Sequence, residues 1–165
     1  MAERKSKGRT EVVSANAAFE DSKVNTRVML SGLWASLTLC FLYADYFGLY
    51  KPGWLEGMLA GNMGPLGEVT QGVLLGVSVL MAIPCLMVFL SLVLKPGLNR
   101  WVNIVVAVLF AVMMLLTMIG EWLYYIFFAT IEIVLTGFVV WYAWNWPREE
   151  ARQKESASTV SQSRL

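Results

Sequence analysis

The sequence predicts an all-α membrane protein: an antiparallel four-transmembrane-helix bundle with the N and C termini cytoplasmic. Three observations lead there. Of the 165 residues, 57% are hydrophobic and only 15% charged, where a soluble domain carries about 25% charged residues. The charges sit mostly in the tails and connections, which leaves four long, largely uncharged runs. Basic and aromatic residues are then distributed unevenly about those runs. A helix that is apolar on every side needs lipid or a large protein interior around it. A chain with room for one domain cannot supply such an interior to four helices, so lipid is the solvent.

Residues 1–26 form a polar cytoplasmic tail of mixed charge, basic at its start through Arg4, Lys5, Lys7 and Arg9, and expected to be disordered. The apolar run that follows is too long for a signal peptide and lacks a small-residue cleavage pattern, so it reads as an uncleaved anchor. The transmembrane domain covers 27–147. Its spans are expected near Val28–Phe47, Val69–Leu94, Val102–Gly120 and Trp122–Trp146. About 20 residues at about 1.5 Å each cross a hydrocarbon layer of about 30 Å, and each run meets that length. The runs lack period-two alternation and are too few to close a barrel, which leaves helices.

Between the first two spans, Gly48–Glu68 is the sizeable loop. It opens on the turn-forming Lys51-Pro52-Gly53, continues as "WLEGMLAG" and ends in the Gly- and Pro-rich "NMGPLGE". Its middle is expected to be either a short helix at the outer interface or a lid on the bundle. Residues 148–165, charged and then Ser-rich, are expected to be a second disordered tail.

Orientation follows from charge. Ahead of the first span the chain has six Lys or Arg, five in the tail and Arg27 just after it; the second connection has Lys95 and Arg100, and the C-terminal tail has four; the first connection has only Lys51. Putting the tails and the second connection in the cytoplasm places twelve of the thirteen basic residues inside. Tyr46, Tyr50, Trp54, Trp122, Tyr124 and Tyr125 would then form an outer aromatic belt, and Trp101, Trp141, Tyr142, Trp144 and Trp146 an inner one.

Composition also narrows function. A net charge of +1 offers no field for nucleic acid. The chain has no histidine, and its two cysteines, Cys40 and Cys85, lie in separate apolar runs. Neither a metal site nor a cofactor is expected from them, and each reads as a small apolar filler. Met113, Met114 and Met118, with Met81 and Met87, read as gap-fillers in the same way. No nucleophile or Cys-x-x-Cys motif is present, so an enzyme is not expected.

Glu132 carries the most information. Ten residues inward from Trp122 it lies about 15 Å deep at helical rise, near the bilayer midplane, where an acid costs about 2.5–3.5 kcal/mol. No Lys, Arg or His lies in any predicted span to pair with it. Two readings follow: a carboxylate that binds a proton or cation, or a neutral carboxyl that hydrogen-bonds between helices. Glu121, Tyr125, Glu132 and Thr136 share one helix face. On the first span Ser31, Thr38 and Asp45 recur at sevens, as do Gln71, Ser78 and Cys85 on the second. These residues are candidates to line one polar interior that opens outward past Asp45 and Glu121. Ordinary scattered polar positions in a helical bundle are the competing account. Gly72 with Gly76 could let a helix approach closely, and Pro84 is expected to kink the second span.

The segments "LYADYFGLYKPG", "TQGVLLGVSVLMAIPCLMVFLSLVL", "NRWVNIV" and "YYIFFATIEIVLTGFVVWYAWNW" resemble a family of small four-helix bacterial integral membrane proteins of unknown function. The resemblance covers about residues 27–147. It implies the same topology and a multi-pass protein of the bacterial plasma (inner) membrane, and it implies no activity. On these grounds the leading expectation is a small proton-coupled transporter or binding protein for a lipophilic or cationic solute, with Glu132 exchanging the proton. The alternative is a non-transporting accessory or assembly subunit. The expected partners are the lipid bilayer and either a second copy or a membrane-complex partner, with no nucleic acid; the small-molecule ligand is open.

Overall fold

The computed structural model describes residues 24–146, so the tail expectations for residues 1–23 and 147–165 lie outside the described residues. Five α-helices follow in order: α1 Thr26–Gly48, α2 Trp54–Leu59, α3 Gln71–Val93, α4 Pro96–Thr117 and α5 Leu123–Trp144, with a 3-10 turn at Gly64–Leu66. Four of them, α1, α3, α4 and α5, are long and apolar enough to cross a membrane. No strand forms among the described residues; a single bridge joins Asn62 to Glu68 across the loop.

Local chemistry explains the helix ends. The Asn25 side chain accepts from the Arg27 N–H at 2.9 Å and starts α1. Thr70 accepts from the Val73 N–H at 3.2 Å, so α3 begins at Gln71, two residues inside the apolar run. Leu94 and Lys95 are both extended, as the residue before a proline prefers, and Pro96 opens α4 at the position where its missing N–H costs nothing. As a result α4 starts six residues before the sequence expectation and takes Asn99 and Arg100 into the helix. Past its end, Gly120 sits at φ 81°, a left-handed conformation that glycine adopts without a Cβ clash, and the chain turns into α5.

The helices pack through seams spaced three and four residues apart. In α1 the buried positions are Leu30, Trp34, Leu37, Phe41, Ala44 and Gly48. In α4 they are Asn99, Asn103, Ala107, Phe110 and Met114, and in α5 Ala129, Glu132, Thr136, Val139 and Ala143. That 3.5-residue period belongs to helices wound round one another at a shallow left-handed angle. Small residues recur in these seams, as they do where membrane helices pack closely.

Around the bundle α1 lies against α3 and α5, and α5 lies against α4. By contrast α3 and α4 touch only sparsely, although a two-residue turn joins them. Across the diagonal, Trp34 meets Phe110 edge-on at 6.5 Å, and Phe41 stacks on Phe110 at 5.6 Å. In α3 only Pro84, Met87 and Ser91 are buried, and the half of that helix nearest the loop has no buried residue, its Val73, Val77 and Leu80 being half-buried along one face. Pro84 faces the bundle inside an unbroken helix, and its missing N–H releases the Leu80 carbonyl from the usual ladder.

Candidate functional site

Glu132 is a seam residue of α5, between Ala129 and Thr136 on the face that meets α1 and α4. It is 2% exposed, and its Oε1 is fully buried without a hydrogen-bond partner among the described residues. Nine residues from the start of a 22-residue helix, it lies about 14 Å along the axis, close to the middle. Below it, the Thr136 hydroxyl donates to the Glu132 backbone carbonyl at 2.9 Å, so that hydroxyl is already engaged. Cys40 of α1 and Asp45, nearer the loop end of α1, both lie within electrostatic reach of the Glu132 carboxyl.

Above Glu132, at the loop end, two segments distant in sequence converge. Lys51 Nζ lies 2.9 Å from Glu121 Oε2, with side-chain exposures of 19% and 28%. The same ammonium lies 5.1 Å from the ring centre of Trp54 and 5.9 Å from that of Trp122. Tyr124 is within electrostatic reach of Lys51, Glu121 and Asp45. Tyr125 is within reach of Glu132, Asp45 and Glu121, and its hydroxyl donates to Thr117 Oγ1 at 2.9 Å. The loop itself is a small self-bonded unit: α2 has no buried residue, Leu59 is 82% exposed, and Trp54 packs on Gly64. Its covalent ends and the Lys51 ion pair tie it to the bundle.

The residues singled out from sequence therefore divide. Glu132, Glu121 and Asp45 lie within electrostatic reach of Tyr125 between the loop end and the middle of α5, with Glu132 buried, Tyr125 and Glu121 half-buried and Asp45 exposed. Thr136 is buried directly below Glu132, and Thr38 is partly buried, its hydroxyl donating to the Trp34 carbonyl at 2.9 Å. Gln71 and Ser78 are not brought to this group. Both are exposed, as is Cys85. Ser78 Oγ donates to the Leu74 carbonyl of its own helix at 2.8 Å, which is how a hydroxyl satisfies itself on a lipid-facing side.

A second polar group, at the opposite end, was not picked out from the sequence. Ser91, Asn99 and Asn103 are completely buried. Asn103 Oδ1 accepts from Trp34 Nε1 at 2.6 Å and from Ser91 Oγ at 3.2 Å. Asn103 Nδ2 donates to Asn99 Oδ1 and the Asn99 carbonyl, and Asn99 Nδ2 donates to the Ser91 carbonyl at 2.6 Å. Beside this network Arg100 lies over Trp144 at 5.0 Å and Trp101 at 5.9 Å. The available signal was the four-residue spacing of two asparagines inside "NRWVNIV", which marks a shared helix face.

The model of a family described as "Family of unknown function (DUF6326)" matches residues 18–153. The chain belongs to DUF6326. The match spans all four long helices, the loop and both polar groups. No curated protein and no solved structure matches the chain.

In this DUF6326 chain the two polar groups have opposite character. The Asn99–Asn103 network has its amides paired at one end of the bundle; Glu132 is a buried acid near the middle whose Oε1 has no hydrogen-bond partner among the described residues. For the first, Asn103→Leu is expected to destabilise the bundle by about 1–2 kcal/mol, because Trp34 Nε1 and Ser91 Oγ lose an acceptor in a low-dielectric interior. Thermal melts in micelles check this, and an unchanged transition would mean that the network contributes nothing to stability.

Proposed function

We propose that the chain is a small proton-coupled carrier for a lipophilic or cationic solute, with Glu132 as the group that exchanges a proton for the solute. One observation carries the reading: the Glu132 carboxyl is buried in a packing seam, yet its Oε1 bonds to nothing among the described residues. A carboxyl kept as interhelical glue would be making its hydrogen bonds. A buried polar atom left unpaired calls for another explanation, and an acid at this depth is a site by default. A cation beside a carboxyl favours its charged form, and low dielectric without one favours the protonated form. Alternating between these two states is the chemistry that exchange needs. In this reading the protein sits in a bacterial plasma membrane with its termini in the cytoplasm, so a reporter fused after Leu165 should be active inside the cell and silent outside.

Infrared spectroscopy of the protein in lipid vesicles tests the assignment. A protonated-carboxyl band is expected in the wild type, absent in Glu132→Gln, and lost from the wild type when tetraphenylphosphonium is added. If the band keeps its intensity from about pH 5 to 10 with and without the cation, Glu132 does not exchange, and an accessory or assembly subunit becomes the better reading.

A further inference from the structure

The outer end of the acidic group holds a site with its own chemistry. A carboxylate and two indole faces surround an ammonium there: Glu121 at 2.9 Å, Trp54 at 5.1 Å and Trp122 at 5.9 Å from Lys51 Nζ. We propose that Trp54, Trp122 and Glu121 form a recognition site for organic ammonium cations, occupied in the resting protein by the chain's own Lys51. The inference deepens the carrier reading by naming the substrate class, and it rests on that reading for where the cation goes next.

Several features favour a displaceable occupant over a fixed tie. Indole faces attract cations through the ring quadrupole, and aromatic surfaces of this kind are used to bind quaternary ammonium groups. Lys51 and Glu121 keep 19% and 28% of their side-chain surface exposed, so the pair is reachable from solvent, and a single partly exposed ion pair holds weakly. A primary ammonium is strongly hydrated. A quaternary ammonium carries the same charge with its surface methylated, gives up less hydration and covers more of both rings. Lys51 and Trp54 come from the beginning of the loop, and Glu121 and Trp122 from the turn between α4 and α5. Opening the site therefore needs only the lysine side chain to swing out. Asp45 and Glu132 follow below, Asp45 within electrostatic reach of Tyr124 and of Glu132.

The test is equilibrium binding of tetramethylammonium chloride to the full-length protein in micelles by saturation-transfer NMR, with sodium chloride as the ionic-strength control. Lys51→Met, which keeps the apolar stem, should bind about tenfold tighter than wild type, because an internal competitor multiplies apparent affinity by the fraction of open sites. Adding Glu121→Gln or Trp122→Ala to Lys51→Met should abolish that binding. A second measurement needs no variant: in the wild type, tetramethylammonium should increase amine acetylation of Lys51 relative to Lys95. A Lys51→Met protein with an intact melting transition and no response to tetramethylammonium overturns the proposal. Should that variant fail to fold, Lys51 acetylation unmoved by the cation in the wild type overturns it equally. The two readings fail separately: cage binding without any response of the Glu132 infrared band leaves the cage and removes the carrier, and the reverse result does the opposite.

Discussion

Trp34→Ala is expected to cost the folded bundle about 3 kcal/mol, the lower end of the range for emptying a buried aromatic site. Trp34 is completely buried, packs edge-on against Phe110 and donates to Asn103 at 2.6 Å. Between lipid and protein interior there is no water-transfer gain to lose, since the alternative environment is apolar too. What remains is the cavity, with the dispersion contacts that vanish around it, and the hydrogen bond. The bond alone is the smaller part, about 0.6 kcal/mol on average and at most about 1.7 in a comparable membrane bundle. Trp34→Phe, which keeps a ring, should therefore lose about 1 kcal/mol. Unfolding in mixed micelles measures both. Equal losses in the two variants would show that the hydrogen bond, not ring packing across the α1–α4 diagonal, sets the stability.

Glu132→Gln should have the opposite profile, with a large effect on activity and a small one on the fold. The amide matches the carboxyl in shape, and Oε1 has no partner to lose among the described residues. The new amide donors can cost about 1 kcal/mol if they stay unpaired, which keeps the folded protein abundant. What disappears is the exchangeable proton. In vesicles with an imposed pH gradient, wild type is expected to accumulate tetraphenylphosphonium, whereas Glu132→Gln should match protein-free vesicles. Glu132→Asp, which withdraws the carboxyl by one methylene, should retain part of the uptake. Uptake by Glu132→Gln at the wild-type level would end the role proposed for this residue, whatever the protein carries.

How much could be read from the sequence varies from residue to residue. Helix ends depended on single side chains: Thr70 and Pro96 moved two boundaries away from the edges of the apolar runs. The polar stripes on α1 and α3 looked equivalent by spacing. Ser31 and Thr38 follow seam residues of α1 by one position and are half-buried, whereas Asp45 on α1 is exposed, as are Gln71, Ser78 and Cys85 on α3. Asn99 and Asn103 drew no notice, because an asparagine near a membrane surface is unremarkable until its partner is known. Lys51 looked like a lone loop cation; its partner Glu121 is 70 residues away.

Sequence alone determined the frame of this protein: four helices long and apolar enough to cross a membrane, and an acid near the middle of the last. These follow from properties of one segment at a time, length against bilayer thickness and charge against the cost of burying it. Tertiary structure decided which side of each helix turns inward. In lipid both sides are apolar, so periodicity points inward only weakly, and a hydroxyl can satisfy itself on its own helix while facing outward. Only the packed bundle could bury Glu132 in a seam, pair Trp34 with Asn103, and bring Lys51 between Trp54 and Trp122.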